Sequence, residues 1–190
     1  YELMFASRPA DRRAQTVGRI LGIDPGLTRC GYAVVDTAAG QPRPVSLGVL
    51  RTPASDPLPQ RLAALGAELV GLIDEFEPAV VAVEHVFFQV NVRTAMSVGQ
   101  ASGLALAAAA SAGCEVAQYT PNEVKSAVAG WGGAGKEQVQ KMVQARLGFA
   151  QPPKPADAAD AAALALCHLA HAPHRQRVAT AQQVAAGGRR

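Results

Sequence analysis

Short apolar runs that end in a carboxylate alternate along this chain with longer segments whose apolar residues recur at helical spacing. The first run, Ile20, Leu21 and Ile23, joins β-branched and apolar residues and is stopped by Pro25-Gly26. It predicts a buried strand over 19–24 with Asp24 at its end. A second run over 31–37 follows directly, the strand–turn–strand signature of a hairpin, and a third over 45–51 extends it into a meander. After the proline-rich loop 52–59, Leu62, Leu65, Leu69, Leu72, Ile73 and Phe76 mark an amphipathic helix that ends at Pro78. Residues 79–84 form a continuous apolar run closing on Glu84, the pattern of a central strand covered on both faces. A loop over 87–93 carries Phe87, Phe88, Asn91 and Arg93. Small residues then dominate a helix over 94–112, where Gly99 and Gly103 sit one turn apart and admit a close partner helix. The pattern continues with a fifth strand over 114–119, a short helix 122–129 carrying Lys125, a glycine-rich turn 130–135, a helix 136–147 and a last helix 156–171.

Three strands in a meander, then helix, strand, helix, strand and helices, predict an α/β fold: a five-stranded mixed sheet with helices on its faces. Strands 4 and 5 are each reached by a helical crossover and should run parallel to strand 1. Residues 1–18 mix Arg, Asp, Ser and Pro without periodicity and read as a flexible leader, an expression remnant or a mis-assigned start. The domain is expected to span 19–172, and the polar stretch 173–190 is expected to be a disordered tail.

Composition narrows the function classes. At 190 residues and 49% hydrophobic content the chain can bury one sizeable core. No apolar run reaches the ~18 residues a membrane span needs. Cys30, Cys114 and Cys167 are odd in number and far apart, which argues against disulfides and zinc and fits a reduced cytoplasm. The net charge of +3 is unevenly spread: residues 1–85 carry eight basic and ten acidic side chains, residues 86–190 ten basic and five acidic. The second half offers a cationic surface suited to a polyanion.

The last helix opens with Asp157 and Asp160, three residues apart and therefore on one helical face. One such Asp is common as a cap. Two, followed only by Ala and Leu down to Cys167, call for a packing surface, and the sheet is the candidate. Packing there would bring both near the strand-end acids Asp24 and Glu84. Four carboxylates together repel strongly without cations, and an all-oxygen cluster suits Mg²⁺ or Mn²⁺. Two such ions ~3.5–4 Å apart can activate water and stabilise the leaving oxygen of a phosphodiester.

These residues, in order and spacing, resemble the RuvC family of bacterial Holliday-junction resolvases. The resemblance is carried by Ile20-Leu21-Gly22-Ile23-Asp24-Pro25-Gly26, Val83-Glu84-His85-Val86-Phe87 and Pro155-Ala156-Asp157-Ala158-Ala159-Asp160-Ala161. Asn91, Gly99-Gln100-Ala101, Val124-Lys125 and the Lys136-x-x-Val139-Gln140-x-Met142-Val143 segment match as well. The resemblance covers about 19–172. It implies an RNase H-like fold, a homodimer, and symmetric, metal-dependent nicking of four-way DNA junctions in recombination and repair. Asp24, Glu84, Asp157 and Asp160 are then the metal-binding catalytic acids for two Mg²⁺ ions per site, with Mn²⁺ able to substitute and Asp24 as the bridging ligand. Some family members place His where Asp157 stands. Phe87, Lys125 and Lys136 match DNA-contacting positions, whereas family members vary at Phe88; Arg93, a cation in the loop beside Phe87, is expected to bind DNA as well. Helix 94–112 resembles the dimer helix, and the RuvA–RuvB branch-migration complex is the implied partner. The leader has no counterpart in the family.

Other readings weigh less. Gly130 to Lys136 fits half of a P-loop, but Glu137 stands where Ser or Thr should hold Mg²⁺ and a helix rather than a strand precedes it. The turn reads better as presenting Lys136 and Trp131 to a DNA backbone. His168, His171 and His174 tempt a zinc assignment, yet Pro173 interrupts them, and a helix-end His favoured by the C-terminal dipole fits better. Cys30 and Cys114 read as core thiols, and His85, by alternation, points away from Glu84. A related RNase H-like nuclease acting on RNA or an RNA–DNA hybrid is the alternative. An actin-like ATPase would need a second lobe for which 190 residues leave no room.

Overall fold

A computed structural model describes residues 18–38, 40–85 and 92–187, and of residues 92, 93 and 172–187 only the backbone. The expected leader, Phe87 and Phe88, and the side chains of Arg93 and His174 lie outside the described residues. Five strands form one sheet in the order β3-β2-β1-β4-β5: β1 (Arg19–Asp24), β2 (Arg29–Asp36), β3 (Arg43–Arg51), β4 (Val80–Glu84) and β5 (Glu115–Tyr119). β1 pairs antiparallel with β2, and β2 with β3, while β4 runs parallel to both β1 and β5. The mixed sheet read from the sequence is the one observed.

Each central strand is buried on both faces, and its two-residue alternation decides what each side chain meets. Along β1, Leu21 and Ile23 enter a core with α1 (Leu58–Phe76) and α2 (Val92–Ser111), through Leu65, Leu69, Ala101 and Ala105. Ile20 points the other way, into a core with α3 (Pro121–Ala129), α4 (Lys136–Leu147) and α5 (Ala156–Gly187). β4 repeats the pattern, Val81 and Val83 on one face, Val80 and Ala82 on the other. Continuing the alternation by one step puts Asp24 and Glu84 on the α5 face. Ile23 pairs with Val83, so the two acids end adjacent parallel strands side by side.

Two glycines let α5 lie directly on this face. A Cβ on Gly22 would collide with the Ala161 carbonyl oxygen, and one on Gly31 with the Asp157 carbonyl oxygen. Glycine inside a strand marks such a close backbone approach. The facing residues of α5, Ala158, Ala161, Ala162 and Ala165, are small and buried. Gly31 is also the cross-strand partner of Asp24, so the helix turn bearing Asp157 settles beside the end of β1.

Two expectations need correction. α5 does not stop near His171: its backbone stays helical through Pro173 to Gly187, where a disordered tail was expected. Proline removes one N–H and strains one turn, but the alanine- and glutamine-rich sequence beyond it has high helix propensity. His168 and His171 are accordingly not helix-end residues. His168 is buried, with Nδ1 3.0 Å from the Tyr119 hydroxyl. The His171 Nδ1–H donates to the Cys167 carbonyl at 2.9 Å. Cys30, Cys114 and Cys167 are buried free thiols, as core packing requires.

α1 ends where the sequence says it must. Pro78 disfavours helical geometry at the residue before it, and Glu77 closes the helix in the left-handed region at φ 43°. No described helix is long and apolar enough to cross a membrane.

Candidate active site

The C-terminal ends of β1 and β4, the first turn of α4, the second turn of α5 with Ala163 and Leu164, and α3 enclose a cleft of about 500 Å³. Asp24, Glu84 and Asp160 line it, with Lys125, Lys136 and the Gly133-Ala134-Gly135 turn opposite. α3 is fixed at the cleft by a capping box: the Thr120 hydroxyl accepts from the Glu123 amide at 3.2 Å, and the Glu123 carboxylate accepts from the Thr120 amide at 2.8 Å. Val124 and Val128 bury the inner face of α3, leaving the half-buried Lys125 at the cleft wall.

Burial and charge crowding together set the electrostatics of the site. Burial pushes the Asp24 carboxyl from an ordinary value near 3.8 up to about 7, reinforced by Glu84, Asp160 and Asp157 and opposed by Lys136. Burial likewise raises Glu84, helped by Asp160 and opposed by Lys136. The site therefore holds more carboxylates than it can keep ionised unaided.

Two cations partly balance them. Lys136 Nζ donates to Asp160 Oδ2 at 2.7 Å, and this hydrogen bond holds the ammonium above its ordinary pKa. Lys136 is the first residue of α4, where the helix dipole favours an anion. A lysine there goes against local preference, and its carboxylate partner accounts for it. Arg29 donates from Nε at 3.0 Å and from Nη2 at 2.5 Å, both to Asp157 Oδ2. That pair holds the Asp157 carboxyl below its ordinary range.

Asp157 interacts electrostatically with Asp24 but does not line the cleft; Arg29 draws it aside. Among the described residues no three Asp, Glu, His or Cys side chains converge closely enough to hold a metal ion in this arrangement. The donor set nonetheless fits a hard divalent cation. It is all carboxylate, it is held on sheet ends and a helix start, and burial together with mutual repulsion raises the proton affinity of Asp24 and Glu84.

The structure thus brings Asp24, Glu84, Asp160, Lys125 and Lys136 to one cleft, with Asp157 at its edge. Sequence reading missed Arg29, which lies 128 residues from its partner and carries no local signature. It also missed Gly22 and Gly31, although glycine within a buried strand was a usable signal. Replacing Arg29 by Ala should cost roughly 10- to 100-fold in activity, as for other groups that orient a metal ligand. Without the guanidinium the Asp157 carboxyl titrates higher, so the acid limb of the pH–rate profile moves to higher pH. Arg29→Lys should recover part of both, and an unmoved acid limb in Arg29→Ala would remove Arg29 from this role.

A 3-2-1-4-5 mixed sheet, with acids ending adjacent parallel strands and others opening the helix laid across them, defines a nuclease domain of the RNase H-like class. The profile of one family, described as crossover junction endodeoxyribonuclease RuvC, matches residues 20–168. The chain belongs to the RuvC family, and like its relatives it is an endodeoxyribonuclease. The crossover junction endodeoxyribonuclease RuvC of Leifsonia xyli subsp. xyli is 54% identical over 141 residues, 74% of this chain and 68% of that protein. The one from Moorella thermoacetica is 52% identical over 158 residues, 83% of this chain and 95% of that protein. T. thermophilus RuvC, solved in complex with Holliday junction substrate, superposes with a TM-score of 0.77 at 39% identity, covering 82% of this chain and 94% of that one.

Proposed function

We propose that this chain resolves four-way DNA junctions by symmetric nicking, with Asp24, Glu84, Asp157 and Asp160 as metal-holding catalytic acids. The observation that carries the reading is the cleft lined by Asp24, Glu84 and Asp160, where burial, reinforced by the neighbouring acids, raises the proton affinity of Asp24. A purely DNA-binding surface gains nothing from anions turned toward phosphate. A site that receives two Mg²⁺, or Mn²⁺, needs them.

Asp24 sits deepest, between Glu84 on the neighbouring strand and the first turn of α5, and is the ligand best placed to be shared. Bound there, such ions supply an activated water and charge stabilisation for the departing oxygen of a phosphodiester. The protein's own part is positioning. The sheet fixes Asp24 and Glu84, the α5 turn fixes Asp160, and Arg29 orients Asp157. Lys125 and Lys136 line the opposite wall, where they meet the phosphates flanking the cut. Phe87, by family resemblance, and Arg93, as a cation of the same loop, are proposed to extend the same contact surface. Asp160, which accepts from Lys136 in this structure, would be one of the residues to hold an ion, and Lys136 would then be available to DNA phosphate.

Two symmetric cuts need two sites. A homodimer supplies them, and α2 offers its surface: among the described residues, no atom outside α2's own nearby backbone lies within 4 Å of where a Cβ on Gly99 or Gly103 would stand, leaving room for a second helix. The RuvA–RuvB complex is the proposed motor partner by family resemblance alone.

Cutting assays on a synthetic four-way junction, a linear duplex and an RNA–DNA hybrid, each with and without Mg²⁺, test the reading. Paired symmetric nicks confined to the junction with Mg²⁺ are expected; preferential cutting of the hybrid would overturn it. Lys125→Ala should weaken junction binding and flatten its salt dependence, lowering the slope of log K against log salt by roughly one. An unchanged slope would take Lys125 off the DNA surface.

A further inference from the structure

We propose that Trp131 is a stacking platform for an unpaired nucleobase of the DNA at the rim of the cleft; this rests on reading the cleft as the cutting site. Trp131 is the sole tryptophan of the chain. It is 56% exposed, in the turn joining α3 to α4. A single exposed apolar side chain needs no explanation in itself. Three features set this one apart.

The indole is seated. A Cβ on Gly133 would collide with the Trp131 benzo ring, so the ring rests against the backbone of residue 133 and could not do so beside any other residue type. The turn beneath it is fixed. Gly130 caps α3 in the left-handed region at φ 88°, and the Ala134 amide donates to the Trp131 carbonyl at 3.3 Å.

The neighbours face the chemistry. Gly133, Ala134, Gly135 and Lys136, two to five residues past the tryptophan, line the cleft together with Lys125 and the acids. An exposed aromatic on the turn that supplies this wall, with cations on the wall itself, matches how single-stranded nucleic acid is bound: the cations take the backbone and the ring takes a base face, without sequence preference. A fully paired duplex keeps its base faces stacked and offers the ring nothing. The ligand is therefore a base left unpaired where strands cross, held next to the phosphate to be cut.

The sole tryptophan reports its own contact. Indole emission is followed while Asp24→Asn protein is titrated with a four-way junction, a short oligothymidine strand or a linear duplex, with binding measured in parallel by anisotropy of labelled DNA. Junction and oligothymidine should quench the emission, and the duplex should leave it nearly unchanged. Trp131→Ala, melting at the wild-type temperature, should bind the junction about tenfold more weakly, and Trp131→Phe should recover most of the loss. Junction binding with unchanged emission, equal quenching by duplex, or wild-type affinity in Trp131→Ala would each overturn the proposal while leaving the cutting site intact. Failure of the unsubstituted protein to bind or cut any junction would instead overturn the reading of the cleft, and this proposal with it.

Discussion

Asp24→Asn should lower junction cleavage by on the order of a thousandfold, because in the proposed reading it removes a carboxylate that holds ions worth several kcal/mol to the transition state. Junction affinity in the same variant stays level or rises, since one anion facing phosphate is gone. The substitution also changes stability in a direction opposite to that of most buried replacements. In the ion-free protein Asp24 binds its proton more tightly folded than unfolded, with a pKa of about 7 against 3.8. From about pH 4 to pH 7 the native state therefore holds the extra proton, and stability falls as pH rises through that window. Above it the cost is fully present, a few kcal/mol at roughly 1.4 kcal/mol per tenfold change in proton affinity. Asp24→Asn should accordingly raise the melting temperature at pH 8 without divalent ions and change it little at pH 4. A melting temperature lowered equally at both values would mean the carboxylate is structural.

Gly22→Ala, like Gly31→Ala, is expected to be among the most damaging single methyl groups that can be added to the described core. The new Cβ would meet the Ala161 carbonyl oxygen and lie 3.1 Å from the Ala165 nitrogen, within the hydrogen-bonded backbone of α5. No flexible side chain is there to give way, so helix and sheet must separate. The cost should reach or exceed the usual upper range for overpacking, about 3 kcal/mol, which is roughly a 10 °C fall in melting temperature for a chain of this size. Cleavage should fall further than stability, because the same helix carries Asp157 and Asp160. Gly71→Ala is the control. It lies on α1 with no neighbour within 4 Å of a Cβ, and it should stabilise the helix by up to about 1 kcal/mol. If Gly22→Ala melted like Gly71→Ala, the direct seating of α5 on β1 would be wrong.

What the sequence showed and what it hid divide along a physical line. Runs such as Ile20-Leu21-Gly22-Ile23 and Val80-Val81-Ala82-Val83 announce buried strands because burial on both faces leaves no polar position. Each ends on an acid because the chain surfaces there. The approach of Asp160 to Asp24 and Glu84 was legible because an apolar α5 has to cover the sheet; that Asp157 stays at the edge, paired with Arg29, was not. Contacts decided by tertiary approach were not legible. Arg29 finds Asp157 across 128 residues, and nothing local distinguishes it from a solvated arginine. Lys136 read as a backbone-binding cation, and only the structure shows its ammonium inside the acid cluster. His168 read as a helix-end residue because Pro173 looked like a stop; the helix runs on, and the ring is buried against Tyr119.

The central claim is that these acids jointly hold divalent ions, and a direct count tests it. Mn²⁺ bound per protomer can be read from the free-ion electron paramagnetic resonance signal, at pH 8, with an uncleavable four-way junction present. Two ions should bind to the wild-type protein, with loss or marked weakening of binding in Asp24→Asn and Glu84→Gln. Equal numbers bound with equal affinity in all three proteins would contradict the account.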